Sequence, residues 1–137
     1  MKKTITKSFE FCYAHRLEDP TLDNGKNEEV YGKCFLDSHG HNSVLSVSIS
    51  GEEKNGMIIN FTKLKDIVND CVINVFDHHN INNLKEMNGR IPTCESMIDV
   101  IWDLIDKALI SCNGNNVRLE KLKLSETDNS FCEVSRE

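Results

Sequence analysis

The sequence predicts an α+β protein in which two helices cover one face of a four-stranded antiparallel sheet. Apolar and polar side chains alternate over residues 4–15 and again over residues 45–50, whereas residues 62–75 carry apolar side chains at helical spacing. Paired strands at both ends of the chain, with the helices between them, are typical of an antiparallel sheet whose helices lie on one side. The 137 residues suffice for one domain with its own core, predicted to span 1–137.

Two strands and a long connection are predicted in the first third of the chain. The first strand, residues 4–15, ends at His15 and carries on one side the apolar residues Ile5, Phe9, Phe11 and Tyr13. Residues 16–33 contain Pro20 and the run Asp23-Asn24-Gly25, which are turn signals, so this stretch is predicted to be a loop. The second strand has one apolar face and one hydroxyl face, because Leu45, Val47 and Ile49 alternate with Ser46, Ser48 and Ser50.

Two helices are predicted in the middle of the chain. Residues 57–59 suggest a short strand end, after which Asn60 or Thr62 caps a helix whose apolar stripe runs to Val75. Thr93 is the expected N-cap of the second helix, and the buried face of that helix comprises Ile98, Ile101, Trp102, Ile105 and Ala108. Two helices can cover only one side of the sheet.

Two more strands are predicted towards the C-terminus. Residues 117–124 alternate with a slip at Glu120-Lys121 that is typical of a β-bulge, and a turn at Asp128-Asn129 leads to a strand over residues 131–135. The serine face and the edge strands are left uncovered, and such edges are commonly paired with another subunit or closed into a barrel. An oligomer is therefore expected.

Composition and charge exclude several classes of partner. The net charge is −6 and no block of lysine or arginine occurs, so neither nucleic acid nor an anionic membrane is an expected partner. No apolar run approaches the ~18 residues of a membrane span, and the N-terminus lacks a signal-peptide pattern, so a cytoplasmic location is expected. The six cysteines are spread singly, without a C-x-x-C pair, which favours reduced thiols.

Three histidines are placed to bind a metal ion. His39 and His41 lie two residues apart at the head of a strand, so their imidazoles point to the same face, and Gly40 between them adds no bulk. His15 ends the first strand, which can pair beside the second and deliver a third imidazole. Three histidines with a fourth position open form the catalytic type of zinc site, whereas structural zinc usually has four protein ligands. The alternative is that each histidine is an ordinary hydrogen-bonded or surface residue.

Other polar residues are candidates for catalysis. Cys34 lies on the approach to the metal histidines, and a thiol near Lys33 and a bound cation is suited to act as a base or nucleophile, with a packed loop cysteine as an equal alternative. Asp77 and His78 place a carboxylate next to an imidazole, which suits proton transfer, although such a pair also occurs as a polar turn that ends a helix. Spacing alone leaves two acidic residues unassigned, Glu95 and Glu126.

Six motifs, in the same order and at similar intervals, resemble the 6-pyruvoyltetrahydropterin synthase family. Each motif is weak alone, but six in register over nearly the whole chain are specific. They are Phe11 through His15-Arg16-Leu17, Tyr31-Gly32-Lys33-Cys34 followed by His39-Gly40-His41-Asn42, Asp77-His78, Thr93-x-Glu95, Ile101-Trp102-Asp103 and Glu126-Thr127-Asp128-Asn129.

That resemblance implies a fold, an assembly and a reaction. The fold is the tunnelling fold, in which four antiparallel strands have two helices between the second and third strands. Trimers form a barrel, and two trimers stack as a homohexamer. The implied reaction is that of a zinc-dependent lyase, which converts 7,8-dihydroneopterin triphosphate to 6-pyruvoyltetrahydropterin and triphosphate in tetrahydrobiopterin biosynthesis.

The same resemblance implies roles for individual residues. The zinc ligands would be His15, His39 and His41. The general base would be Cys34, and the partner proton relay would be Asp77 with His78. The contacts to the pterin would come from Glu126, assisted by Thr93 and Glu95, because a carboxylate accepts two parallel N–H bonds from a 2-amino-pyrimidinone edge. The triphosphate contacts would be Arg16 and Lys33.

Several alternatives stay open on sequence grounds. The close homologue 6-carboxytetrahydropterin synthase shares the metal, the fold and the substrate. A further branch forms 6-hydroxymethyldihydropterin with glutamate in place of the cysteine, and Glu28 and Glu29 lie near Cys34. Outside this chemistry, the chain would be a metal-binding or pterin-binding module without catalysis, or a cysteine-histidine hydrolase.

Overall fold

A mixed five-stranded sheet forms the framework of the computed structural model, which describes residues 1–114 and 116–137. The strand order is β3-β1-β2-β4-β5, and all pairs are antiparallel except β1 with β3. The strands are β1 (Thr4–His15), β2 (His39–Gly51), β3 (His79–Asn80), β4 (Val117–Thr127) and β5 (Ser130–Ser135). The α+β class is thus confirmed, whereas the predicted count of four antiparallel strands is wrong, because β3 adds a two-residue parallel edge to β1.

Helical segments occupy both long connections between the antiparallel strands. The α-helices are α1 (Asn24–Tyr31), α2 (Lys33–Leu36), α3 (Phe61–Val68), α4 (Asn74–Phe76) and α5 (Cys94–Asn113), and two short 3-10 helices, Ile81–Asn83 and Lys85–Met87, precede α5. A π-helical stretch, Asn69–Ile73, joins α3 to α4, so the predicted helix over residues 62–75 exists with a bulge in its second half. Both predicted caps form, since Asn60 accepts from the Thr62 N–H and Thr93 accepts from the Ser96 N–H. Within the described residues, no helix combines the length and apolarity needed to cross a membrane.

The prediction of a loop over residues 16–33 is wrong for its second half, which forms α1. Asp23 caps this helix by accepting from the Lys26 N–H. The helix has no apolar stripe, and its one buried residue is Asn27, whose amide bonds to the backbone of Asp19, Leu22 and Asp23. Hydrophobic periodicity could not reveal a helix that is held by polar contacts.

The region of residues 57–59 also differs from its prediction. It forms no strand, and its one β-type contact is an isolated bridge between Lys54 and Met57. A bridge of this kind closes a tight turn instead of adding to the sheet. The predicted bulge in β4 is confirmed, because the register to β2 shifts between the pairs Ser48–Lys121 and Ile49–Leu119.

The two faces of the sheet have opposite character. The apolar residues of β1, β2 and β4 pack under α3 and α5 and form a continuous core that includes Leu45, Val47, Ile49, Leu64, Ile101, Ile105, Leu119 and Leu122. The other face carries hydroxyl pairs between β1 and β2, with Thr6 2.7 Å from Ser48 and Ser8 3.0 Å from Ser46. The predicted serine face is therefore outward and polar.

Candidate metal centre and surrounding site

Three imidazoles converge where β1 ends and β2 begins. The antiparallel register pairs His15 with His39 and Tyr13 with His41. Nε2 of His15 lies 2.8 Å from Nε2 of His39 and 3.2 Å from Nε2 of His41. One ligand nitrogen from each histidine lies within 4.8 Å of the other two. The structure therefore brings the three predicted ligands together, and the group can hold a metal ion.

A hydrogen bond to the ring of His15 leaves its converging nitrogen free for a cation. Nδ1 of His15 lies 2.7 Å from the carbonyl oxygen of Pro92, which can only accept, so Nδ1 carries the proton and Nε2 the lone pair. Nδ1 of His39 lies 3.5 Å from the carbonyl of Asp37, which is too far to fix the position of the His39 proton. The 2.8 Å between the two Nε2 atoms is spanned either by a proton on His39 or by a cation that both nitrogens bind. Tetrahedral zinc, with Zn–N bonds of about 2.0–2.1 Å, separates its nitrogens by about 3.3 Å. The observed separations of 2.8 Å and 3.2 Å are close to this value, so the donor set fits zinc.

Burial keeps the ligands in the form that binds metal. His15 is 1% exposed, and this burial is the main reason why its pKa is lowered from 6.5 to about 4; the neighbouring His39 and His41 lower it further, whereas the bond to Pro92 opposes the change. Burial also lowers the pKa of His41. Metal binding requires neutral imidazole, so both residues are ready ligands at neutral pH.

Glu126 and the start of α5 border the three histidines. Oε1 of Glu126, on β4, lies 3.8 Å from Nε2 of His15, and its side chain is 25% exposed. Pro92, which accepts from His15, directly precedes the N-cap Thr93, so the first turn of α5 lies against the metal group. Glu95 is in that first turn. Of the three residues that the resemblance assigned to the pterin, Glu126 therefore lies beside the histidine cluster, whereas Thr93 and Glu95 belong to the turn of α5 that follows Pro92.

Cys34 lies in α2, which is hydrogen-bonded to the chain just after His15. The Leu17 N–H donates to the carbonyl of Cys34 at 2.8 Å, and Nε of Arg16 donates to the carbonyl of Phe35. The half-buried Cys34 thiol is not part of the three-ligand group. The structure therefore holds the segment that carries Cys34 near the end of β1, and the role of this thiol stays a prediction.

The two residues predicted to contact triphosphate differ in their surroundings. The guanidinium of Arg16 stacks on the ring of Phe35 at 4.4 Å and pairs with Glu18 at 3.2 Å. Lys33 is exposed at the start of α2. Lys33 is thus the more accessible of the two cations, whereas the charge of Arg16 is already partly compensated.

Asp77 and His78 form a second cluster with Cys12. The sequence patterns had singled out Asp77 and His78 but not Cys12. The Cys12 N–H donates to Oδ1 of Asp77 at 2.9 Å, and the Cys12 thiol lies 3.2 Å from Nδ1 of His78. Consecutive strand residues point to opposite faces, so Cys12 projects away from the side that carries Tyr13 and His15. The alternation in β1 marks Cys12 as outward-facing, but no local signal pairs it with residues 77 and 78.

The position of this cluster separates two predicted parts of the active site. The structure brings Asp77 to His78, with Oδ2 3.6 Å from Nε2, but places both across the sheet from His15, His39 and His41 of the same chain. A relay formed by these two residues therefore does not face the metal group of its own chain.

A pair of cysteines lies beside Glu126. The sulfur atoms of Cys94, the first residue of α5, and Cys132, on β5, are 2.8 Å apart. Either thiol can donate to the other, and this contact lowers the pKa of Cys132 while it raises the pKa of Cys94. All six cysteines are free thiols in the described chain, as their single spacing predicted.

Comparisons with known proteins agree with this fold and site. The family model of 6-pyruvoyl tetrahydropterin synthase matches residues 4–137. A 6-pyruvoyl tetrahydrobiopterin synthase of Dictyostelium discoideum is 38% identical over 136 residues, covering 96% of this chain and 96% of that protein. A putative 6-carboxy-5,6,7,8-tetrahydropterin synthase of Archaeoglobus fulgidus is 37% identical over 100 residues, covering 72% of this chain and 76% of that protein.

A solved structure is also similar over the whole chain. The Caenorhabditis elegans 6-pyruvoyl tetrahydropterin synthase matches with a TM-score of 0.89 and 26% identity, covering 100% of this chain and 97% of that one. The fold and the three-histidine group, taken with these matches, define a pterin synthase of the lyase class. The chain belongs to the 6-pyruvoyl tetrahydropterin synthase family. The family resemblance and the assignment as an enzyme are thus confirmed.

Proposed function

We propose that the chain converts 7,8-dihydroneopterin triphosphate to 6-pyruvoyltetrahydropterin with release of triphosphate, and that it requires zinc held by His15, His39 and His41. The supporting observation is the convergence of three imidazoles, two of them kept neutral by burial, in a chain of this family. Zinc, when bound, polarises the side-chain hydroxyl groups of the substrate and thereby eases removal of a carbon-bound proton.

In this proposal the hydrogen bond between His15 and the Pro92 carbonyl orients a metal ligand. The carbonyl accepts from Nδ1 of His15, so Nε2 is fixed as the ligand atom and the ring cannot rotate away. Burial of His15 also keeps water from competing for the imidazole. The start of α5 therefore acts on the metal group without contributing a ligand to it.

Cys34 is the proposed general base. The bond from Leu17 to the Cys34 carbonyl holds α2 beside the end of β1, where the metal ligand His15 lies. A thiol placed near a bound cation is stabilised as thiolate, which is the form that accepts a proton. Replacement of Cys34 by alanine should therefore abolish turnover without loss of zinc.

Asp77 and His78 are the proposed partner relay, and their location requires a second subunit. Because they lie across the sheet from the metal ligands of their own chain, we infer that they serve the site of a neighbouring copy. The outward hydroxyl face and the edge strand β5 leave surface for such an assembly. A homohexamer built from two barrel-shaped trimers meets this requirement.

Glu126 is the proposed anchor of the pterin. Its carboxylate lies beside the metal group, so a pterin bound to it through the 2-amino-pyrimidinone edge extends its side chain towards the metal. Thr93 and Glu95 border the same place from the first turn of α5. The exposed Lys33 and the partly compensated Arg16 are the proposed contacts of the triphosphate.

The proposal is tested by incubation of the full chain with 7,8-dihydroneopterin triphosphate and identification of the products by mass spectrometry. We expect 6-pyruvoyltetrahydropterin and triphosphate, loss of activity on chelation and recovery with zinc. Cys34→Ala should retain zinc and lose turnover, whereas His39→Ala should lose both. Unchanged turnover in Cys34→Ala would exclude the proposed base, and absence of any pterin product would favour a binding module.

A second candidate function is that of 6-carboxytetrahydropterin synthase. It is favoured by the Archaeoglobus fulgidus relative, which is 37% identical over 100 residues. The same incubation decides between the two reactions, because the products differ in mass. A product that carries a carboxyl group at position 6 of the pterin would establish this alternative and leave the roles of the zinc ligands unchanged.

A further inference from the structure

We propose that Cys12, Asp77 and His78 form a second cation site, on the sheet face opposite the three histidines. The three side chains offer a sulfur, an imidazole nitrogen and a carboxylate oxygen that all lie within 4.8 Å of one another. This donor set suits a thiophilic divalent cation of the zinc type, since thiolate and imidazole bind zinc well and a carboxylate completes the group.

The distances within the cluster match such a cation. Nε2 of His78 lies 3.9 Å from the Cys12 sulfur and 3.6 Å from Oδ2 of Asp77. Tetrahedral zinc, with bonds of about 2.3 Å to sulfur and about 2.0–2.1 Å to nitrogen and oxygen, separates these ligand pairs by about 3.5 Å and about 3.3 Å. Binding through Nε2 requires the exposed His78 ring to turn, because its Nδ1 now lies nearer the Cys12 sulfur, at 3.2 Å.

The backbone prepares the cluster before any ion binds. The Cys12 N–H donates to Oδ1 of Asp77 at 2.9 Å, so Oδ2 is left to bind. The His78 N–H donates to the Cys12 carbonyl at 2.7 Å, and His78 has a φ of 59°, a left-handed conformation that is uncommon for a non-glycine residue. These contacts, together with the pairing of β3 to β1, hold the imidazole over the thiol.

The site remains open on one side. Cys12 and Asp77 are half-buried, His78 is exposed, and a groove of about 400 Å³ passes over Cys12, Asn42 and His78. Three protein ligands with a fourth position facing a groove leave room for a water or another small ligand. A thiolate and a carboxylate also supply the negative charge that compensates a divalent ion.

Occupation of this site has a consequence that rests on the proposed function. Asp77 and His78 are the proposed proton relay, and a bound cation engages both side chains. Turnover should therefore rise as zinc fills the three-histidine group and fall again as excess zinc fills the second site. The Cys12→Ser variant, which lacks the thiolate, should show the rise with a weaker fall.

Cobalt(II) titration of the chelator-treated full chain tests the site without reference to turnover. A thiolate ligand gives an intense near-ultraviolet charge-transfer absorption, whereas a site made only of histidines does not. We expect wild type to bind a second equivalent of Co²⁺ with this absorption, Cys12→Ser to lose it, and His39→Ala to keep it. Cys34→Ser and Cys94→Ser are the matched controls, which should also keep it.

The outcomes separate this proposal from the proposed function. Absence of the charge-transfer absorption in wild type, or its persistence in Cys12→Ser, would overturn the second site. Its loss in Cys34→Ser would assign the thiolate to the three-histidine centre and overturn the proposal as well. Asp77→Asn leaves the thiol in place and should lower the affinity for the second equivalent of Co²⁺. This variant therefore tests the site independently, in case Cys12→Ser fails to fold. Failure to form a pterin product would leave the cobalt result untouched.

Discussion

Burial of His15 should make the stability of the metal-free protein depend on pH. In the folded chain the pKa of His15 is lowered from 6.5 to about 4, mainly by burial. As the pH falls from 6.5 towards 4, the unfolded chain takes up a proton that the folded chain does not, so the free energy of unfolding decreases. Above pH 6.5 the imidazole is neutral in both the folded and the unfolded chain, so the free energy of unfolding is not reduced by its protonation.

The magnitude follows from the two pKa values. A difference between 6.5 and about 4, at about 1.4 kcal/mol per pH unit, corresponds to on the order of 3 kcal/mol. His41 acts in the same direction, because burial lowers its pKa as well. A loss of this size is a large share of the ~5–15 kcal/mol that stabilises a typical domain.

Urea denaturation of the chelator-treated protein between about pH 7 and about pH 5 measures the effect. His15→Asn is the control, since its amide can still donate to the Pro92 carbonyl but does not titrate. Ionisable groups that do not contact His15 contribute equally to both proteins, so most of the difference between the two slopes of unfolding free energy against pH belongs to His15. We expect the wild-type slope to be steeper by up to ~1.4 kcal/mol per pH unit. Equal slopes would refute the assignment of a buried neutral imidazole.

Three further predictions concern the surroundings of the metal group. Glu126→Gln should retain zinc by elemental analysis but raise KM for the pterin substrate; loss of zinc would instead make Glu126 a ligand. Thr93→Ala removes the cap of α5 and should cost about 1 kcal/mol in urea denaturation at unchanged zinc content, and an unchanged stability would contradict the cap. Iodoacetamide should label Cys132 before Cys71, because Cys94 lowers the pKa of Cys132 while burial raises that of Cys71 to about 11. Peptide mass spectrometry after a short exposure measures the order in which the two thiols are alkylated, and faster labelling of Cys71 would contradict the prediction.

Periodic patterns predicted the parts of the fold that bury apolar surface. Most residues of the alternation in β1 and β2, of the stripe that begins at Leu64 and of the predicted face of α5 are buried, and the others, among them Ile5, Trp102 and Ala108, are partly buried. The wrong predictions concern a helix that buries a polar side chain and a strand that pairs over only two residues. The helix α1 is organised by the amide of Asn27, and β3 pairs with β1 through only two residues, so neither produces a hydrophobic pattern.

The convergence of the three histidines was predictable because strand geometry is local. His39 and His41 share a face by their spacing alone, and the pairing of β1 with β2 needed only the assumption that neighbouring strands meet. The carboxylate of Glu126 and the carbonyl of Pro92 could not be placed beside His15 in this way. Their approach depends on how β4 and the start of α5 pack against the sheet.

Alternation along the strands was enough to predict the α+β class and the shared face of His39 and His41, because it decides which side chains point to the same side of a sheet. The family was predicted separately, from the resemblance of six motifs. The tertiary structure decided which groups meet across that sheet. It placed Asp77 and His78 against Cys12, on the face opposite the histidines. Cys12 and His15 lie an odd number of residues apart in β1, so their side chains point to opposite faces of the sheet, and the fold of the chain brings residues 77 and 78 to the Cys12 side.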